Sequence, residues 1–252
     1  SMIVDGLWDV YNDKHMGECA ETCASDKKYT RESQDLFAQE SYSRAQAAQS
    51  KGAFQNEIVP LVIDQKKGDS ITIIKDEDPD KANFEKMKLL KPVFKENGTI
   101  TAANASKIND GAAALLLMTR DKAKEIGLEV MATIISQSSS ANDPEWFTTA
   151  PIGAISKILD KVSLEPHSID LWEINEAFAV VPMAVIDKFN LNHNIVNVNG
   201  GAIAIGHPIG ASGARILTTL IYAMKDKNLK RGIASLCIGG GEASALLIER
   251  AE

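Results

Sequence analysis

Ile233-Ala-Ser-Leu-Cys-Ile238 and Ala243-Ser-Ala-Leu-Leu-Ile248, separated by Gly239-Gly240-Gly241-Glu242, decide the fold class of this chain. Two short runs that are almost wholly apolar fit strands covered on both faces, because a strand with one wet face would alternate polar and apolar side chains. Reading back from them, the spacing predicts strand 131–137, helix 151–162 with Pro151 in its first turn, strand 169–174 and helix 176–188. Strand 195–198, helix 211–226 and strands 232–238 and 243–249 complete the series. The order βαβαβαββ predicts an α/β fold with a mostly parallel five-stranded sheet covered by helices. Such sheets take their ligands beyond the carboxyl ends of the strands, so chemistry is sought there.

Ahead of residue 129 the text is less regular. Thr30-Arg-Glu-Ser-Gln-Asp35 reads as a helix start in an exposed helical stretch, and Glu57-Ile-Val-Pro-Leu-Val-Ile63 as a short strand. Residues 64–98 mix lysines and acids closely, as a solvated, irregular excursion does. Gly111-Ala-Ala-Ala-Leu-Leu-Leu-Met118 predicts a buried strand running into a short helix from Thr119, which Gly127 ends. Ser1 ahead of Met2 reads as a residue left by tag cleavage, so the chain is expected to begin inside a longer protein.

Composition narrows the function classes. The 252 residues are 44% apolar and 24% charged, with a net charge of −7, as in ordinary globular chains able to bury a core. No apolar run approaches the ~20 residues of a membrane span. The acidic balance, without a basic stripe interleaved with aromatics, speaks against a nucleic-acid partner. Three cysteines, at 19, 23 and 237, form no paired framework and point to a reducing compartment. Cys19 and Cys23 share a helix face one turn after His15, but no further thiol or imidazole completes a transition-metal set.

Three strand ends carry candidate chemistry. In Trp172-Glu-Ile-Asn175-Glu176-Ala-Phe178, Asn175 can cap the following helix while Glu176 complements its dipole, an account that needs no catalysis; a water-holding amide is the functional alternative. The second end is Asn199-Gly200-Gly201-Ala-Ile-Ala-Ile-Gly206-His207-Pro208-Ile-Gly210-Ala-Ser-Gly213-Ala-Arg215, with five glycines in fourteen residues. It matches neither GxGxxG nor a Walker loop. His207, before a helix start, has its imidazolium disfavoured and can accept a proton; a hydrogen-bonded structural histidine is the plainer account. At the third end Cys237 closes a strand before Gly239-Gly240-Gly241, whose backbone N–H groups can converge on one oxygen. A buried thiol packing as a small hydrophobe is again the plainer account. Together, a neutral His, a Cys, an amide and a glycine turn at one end of a sheet fit proton abstraction beside a thioester with stabilisation of the enolate oxygen.

These motifs resemble those of the thiolases, in particular the biosynthetic-type acetyl-CoA acetyltransferases. The resemblance spans nearly the whole chain and rests on His15-Met16-Gly17 with Ala20-Glu21, Asn56-Glu-Ile-Val-Pro60, Thr101-Ala-Ala-Asn-Ala-Ser106 and Asn109-Asp-Gly-Ala-Ala-Ala114. Its most specific parts are Asn175-Glu-Ala-Phe178, the stretch Asn199-Gly200-Gly201 through Gly206-His207-Pro208 to Arg215, and Cys237-Ile-Gly-Gly-Gly241. It implies that His207 activates a nucleophilic cysteine, that Cys237 moves the α-proton of acetyl-CoA, and that Asn175 holds a water which, with His207, binds one thioester oxygen. Gly239 N–H would bind the other oxygen. The resemblance further implies coenzyme A contacts at His15, Tyr42, Lys86 and Ser106, and a potassium ion at Tyr42, Ala102, Ala103, Ala105 and Ile203. Ile203 stands where valine is usual. Residues 1–108 would be a loop domain that grips coenzyme A and builds a homotetramer, 109–128 a strand and helix belonging to the family's first half, and 129–252 the catalytic C-terminal half. Tyr42 points to the mitochondrial type, hence to the mitochondrial matrix over the cytoplasm.

One part of the family pattern is missing from the text. No cysteine stands in a Cys-Ser-Ser/Ala-Gly type motif, so the chain is expected to carry base and oxyanion groups without the thiol that forms the acyl-enzyme, and to be inactive alone. The competing reading is a coenzyme A binding or assembly module without catalysis. A ketoacyl-synthase-like condensing enzyme would place a second His where Cys237 stands.

Overall fold

The computed structural model describes residues 1–251. Helix α1 (Met2–Gly6) leads to an antiparallel pair, β1 (Trp8–Asp9) and β2 (Lys14–His15). Helix α2 (Met16–Lys27) is opened by a reciprocal cap, in which His15 Nδ1 accepts from Gly17 N and Glu18 returns to His15 N. Helix α3 (Arg31–Ser50) begins at Thr30, whose hydroxyl accepts from Ser33 N as its sequence position predicts. The expected exposure of this stretch is not observed. Gln34, Ala38, Ser41, Tyr42, Ala45 and Ala48 are buried at helical spacing, and the polar members of that stripe disguised it.

The strand expected near residue 60 forms as β3 (Leu61–Ile63), paired antiparallel with β4 (Ile71–Ile73). Helix α4 (Phe84–Met87) follows within an otherwise irregular, largely exposed stretch. The strand predicted over 111–118 does not form. Those residues have no ladder partner among the described residues, and Leu116 is 78% exposed. A strand exists only by hydrogen bonding to a neighbour, and none stands beside this one. Helix α5 (Arg120–Glu125) follows, capped by Thr119, and the chain turns at Gly127.

The second half is built around one sheet flanked by helices. Strands β5 (Ala132–Ala141), β6 (Leu171–Ile174), β7 (Arg231–Ile238) and β8 (Glu242–Arg250) lie in the order β5-β8-β7-β6. Helices α6 (Ala150–Val162), α7 (Val180–Phe189), α8 (Ala202–Ile205) and α9 (Ser212–Asp226) complete it. Alternate residues serve alternate faces. Trp172, Ile233 and Leu247 join the cluster of α6 and α7, whereas Leu171, Ala234 and Ile248 join Ile216, Leu220 and Met224 of α9.

The expected mostly parallel five-stranded sheet is therefore corrected to a mixed four-stranded one. Only β6 and β7 pair in parallel, whereas β5–β8 and β7–β8 are antiparallel. Gly239, Gly240 and Gly241 join β7 to β8 in a tight turn with Gly240 and Gly241 at positive φ, too short for a parallel crossover. The strand expected over 195–198 shrinks to one parallel bridge, Val196 to Trp172. Asn197 then leaves the extended region at φ 48°. The helix expected from 176 starts only at Val180, because 175–179 pairs elsewhere: Ala179 N donates to Asn104 O and Ser106 N to Ala177 O. No helix is long and apolar enough to cross a membrane among the described residues.

Candidate functional site

Asn175 leaves the carboxyl end of β6, where its N–H extends the ladder to Ser235 O of β7 at 2.9 Å. Two residues beyond Ser235 the neighbouring strand carries Cys237, followed by the glycine turn. His207 arrives from the segment after α8. Its backbone N–H is held by Lys107 O at 2.9 Å. There His207 Nε2 and Asn175 Nδ2 are 3.2 Å apart, and His207 Nδ1 is 2.6 Å from Ser212 Oγ at the start of α9. The structure thus gathers Asn175 and His207 into contact and sets Cys237 and Gly239 on the next strand end. Asn175 is not a helix cap, and Glu176 lies outside any helix.

Burial sets the electrostatics. Desolvation, aided by the Arg215 guanidinium, pushes His207 down to about 4, so the imidazole is neutral at physiological pH and free to accept a proton. Desolvation rather than a helix dipole is the main cause. The buried Cys237 thiol is pushed up to about 12 and rests protonated. Gly239 stands next to Met16, whose thioether would touch a Cβ at that position. Arg215 lies 3.8 Å from Glu173 Oε2, and burial pushes Glu173 up to about 8.

Five further residues shape the site and were not singled out in the sequence for these parts. Glu176 is buried and accepts from Ser41 Oγ at 2.6 Å, Asn197 Nδ2 at 2.8 Å and Ile203 N at 3.2 Å, joining α3 to the His207 segment. Gly200, at φ 77°, lets this segment approach α3 so closely that a Cβ would lie 2.5 Å from Ser41 O. Asn197, Ser212 and Arg215 complete the set. For all but Glu176 the signal was present: Asn197, Gly200, Ser212 and Arg215 fall within or beside the glycine-rich motif that ends at Arg215.

The remaining candidate residues are spread around this centre. His15 stacks on Phe94 at 4.6 Å, Phe94 meets Phe178 edge-on at 6.0 Å, and Ser106 N bonds next to Phe178 at Ala177 O, so His15 and Ser106 flank one aromatic row. Lys86 is exposed on α4, whereas Tyr42 is buried with the Lys107 ammonium 5.3 Å above its ring. Of the potassium candidates, Tyr42, Ala103 and Ile203 share one buried cluster, Ala105 bridges to Phe178 and Ala102 is exposed. Main-chain carbonyls of such residues are the donor class a potassium ion takes. A cleft of ≈ 470 Å³ beside His207 is lined by Asn109, Asp110, Gly111, Pro208, Gly210 and Ala214.

Comparison with known proteins gives this geometry a family context. Residues 1–121 match the thiolase N-terminal domain and 128–250 the thiolase C-terminal domain. The chain is 51% identical over 251 residues to an acetyl-CoA acetyltransferase of Cupriavidus necator, covering 99% of this chain and 64% of the relative. It is also 51% identical over 250 residues to acetyl-CoA acetyltransferase 2 of Arabidopsis thaliana, covering 98% of this chain and 62% of that protein. Among solved structures, the acetyl-CoA acetyltransferase of Bacillus anthracis superposes with a TM-score of 0.94 at 43% identity, over 97% of this chain and 62% of the other. The Acat5 thiolase from Ascaris suum in complex with coenzyme A gives 0.89 at 41%, over 99% and 64%. The chain therefore spans less than two thirds of each of these proteins.

Proposed function

From membership of the thiolase family, to which this chain belongs, we propose that it supplies the base and oxyanion part of an acetyl-CoA acetyltransferase. The reaction is the reversible Claisen condensation of two acetyl-CoA to acetoacetyl-CoA and coenzyme A, or thiolysis in reverse. The observation that carries the reading is the neutral His207 imidazole 3.2 Å from the buried Asn175 amide, at a strand end beside Cys237 and Gly239. His207 accepts the proton of the attacking thiol through Nε2. With Asn175 it holds a water on one thioester oxygen, while Gly239 N–H meets the other. Cys237, resting as a thiol, returns its proton to the enolate carbon in thiolysis, and the thiolate so formed is what takes the α-proton back in condensation. His15 and Ser106 line the coenzyme A path along the aromatic row, and Lys86 meets its charged end. A mitochondrial matrix setting belongs to the same proposal and rests on Tyr42.

None of the three cysteines qualifies as the acyl-accepting thiol. Cys19 and Cys23 are fully buried in α2, and burial pushes Cys19 up to about 11. The chain alone then binds coenzyme A without turning substrate over, which is also what an assembly module would do. Grafting onto it the N-terminal segment of the Cupriavidus necator relative separates the two. Thiolysis of acetoacetyl-CoA is expected from the graft, with His207→Ala and Cys237→Ala each lowering it by about 10²–10⁴-fold. A graft that binds coenzyme A but stays inactive would leave only the module reading. No calorimetric heat with coenzyme A on either protein would remove both.

Potassium and self-association complete the proposal. The buried cluster shared by Tyr42, Ala103 and Ile203 supports a potassium ion there through main-chain carbonyls, the donor class the ion takes. A higher melting temperature in KCl than in NaCl at equal concentration supports the ion, and equal values speak against it. A homo-oligomer, tetrameric by family resemblance, is supported by the β3–β4 hairpin. Its Leu61, Val62 and Ile71 side chains stand exposed, although a two-stranded hairpin alone is marginal in water.

A further inference from the structure

We propose that Ser212 is a positioning residue for His207: its buried hydroxyl accepts the imidazole Nδ1–H, hands its own proton to the Pro208 carbonyl, and so keeps the Nε2 lone pair turned toward Asn175. The role rests on reading His207 as the base, yet it concerns a property that exists with or without turnover.

A serine hydroxyl has one proton and two lone pairs. Ser212 Oγ lies 2.6 Å from His207 Nδ1 and 3.0 Å from Pro208 O. The Pro208 carbonyl, which also accepts from Ala211 N at 2.8 Å and Ser212 N at 2.9 Å, has no proton to give, and with the hydroxyl donating to it a lone pair is left for the ring. Nδ1 therefore carries the ring proton. At the opposite edge Asn175 presents Nδ2 to Nε2 at 3.2 Å, and an amide N–H can meet only a lone pair there. With the Asn175 amide in this orientation, which leaves its Oδ1 without a partner, both edges of the ring require one tautomer, the one with a basic Nε2.

The arrangement is held rigidly. Ser212 is fully buried and opens α9, and its own backbone N–H is tied to Pro208 O at 2.9 Å. The hydroxyl cannot swing to water. When Nε2 takes a proton, Nδ1–H keeps its bond to Ser212, and the Asn175 amide has only to turn its unpartnered Oδ1 toward the new N–H. The opposite tautomer would set an N–H of the ring against an N–H of Asn175. Losing such a buried bond disfavours that tautomer by about tenfold or more.

The test is nitrogen NMR of the 252-residue chain, whose long-range proton couplings show which ring nitrogen is protonated, with His207→Gln assigning the resonance. The wild-type chain near neutral pH is expected to show Nδ1–H with a pyridine-like Nε2. Ser212→Ala is expected to bring in the Nε2–H form, and Ser212→Thr to keep the wild-type pattern. A wild-type ring protonated at Nε2, or an unchanged tautomer in a folded Ser212→Ala, overturns the proposal. If Ser212→Ala does not fold, the wild-type and Ser212→Thr spectra still decide, since Nε2–H in either overturns it. Coenzyme A calorimetry on the same sample tests the functional reading separately. Missing heat with an intact Nδ1–H form would fail that reading and leave the tautomer assignment standing.

Discussion

Asn197 pairs with Ile174 through its side chain as a strand would through its backbone. Oδ1 accepts from Ile174 N and Nδ2 donates to Ile174 O, each at 2.8 Å. The same Nδ2 donates to Glu176 at 2.8 Å, so one amide closes the edge of the sheet and orders the turn that carries Asn175. Asn197→Ala strips three buried groups of their partner at a left-handed position that a Cβ-bearing residue adopts at a cost. A loss of about 2–4 kcal/mol in urea unfolding is expected. A loss below about 0.5 kcal/mol would contradict the edge-closing role.

Acid should weaken the fold through His207. An unfolded histidine protonates near 6.5, whereas the buried one waits until about 4, with desolvation first and Arg215 second as causes. Between those values the unfolded chain binds a proton that the folded chain refuses, so stability rises with pH across this window. It is fully present above about 6.5 and falls by about 1.4 kcal/mol per unit toward about 4, to a total near 3 kcal/mol. His207→Gln should flatten this limb. Urea melts of both proteins between pH 4.5 and 7.5 check it, and parallel curves would refute the shifted titration.

What the sequence made legible follows from which signals are local. Thr30 and Thr119 mark their helices because a cap is decided within one turn, and the hydroxyl of each caps its helix. The strand ends with Asn175 and Cys237 were legible because an apolar run stopping at polar or glycine residues is also local, whereas His207 follows helix α8 and was marked by its glycine-rich surroundings. Sheet direction was misread, although the brevity of the Gly239-Gly240-Gly241 turn already required β7 and β8 to run antiparallel. Glu176 was misread for a different reason. Its position suited a helix start, but its partners Ser41 and Ile203 come from distant stretches, and nothing within a few residues of Glu176 announces them.

Cysteine reactivity separates Cys237 from an ordinary exposed nucleophile. All three thiols are buried, and burial pushes Cys19 and Cys237 up to about 11 and about 12. Attack by a thiol needs the thiolate, which is nearly absent at pH 8 under these conditions. Iodoacetamide should therefore leave the folded chain largely unmodified at pH 8 and add three groups once guanidinium unfolds it, as read by intact mass. Rapid single modification of the native chain at Cys237 would show a thiolate that the site electrostatics forbid.

The β3–β4 hairpin tests the self-association part of the proposal. Leu61 pairs with Ile73 and Val62 with Thr72, and Leu61 and Val62 are 61% and 59% exposed, although neither strand has a further ladder neighbour among the described residues. Two strands without a buried face do not hold themselves in water, so contact with another copy is the expected source of their order. A lysine at position 62 buries a charge in any such contact, at several kcal/mol per interface, while leaving the distant sheet untouched. Light scattering should thus show a multiple of the chain mass for the wild-type protein and a smaller species for Val62→Lys, with the far-ultraviolet spectrum unchanged. Identical masses for both proteins would take the hairpin out of the interface.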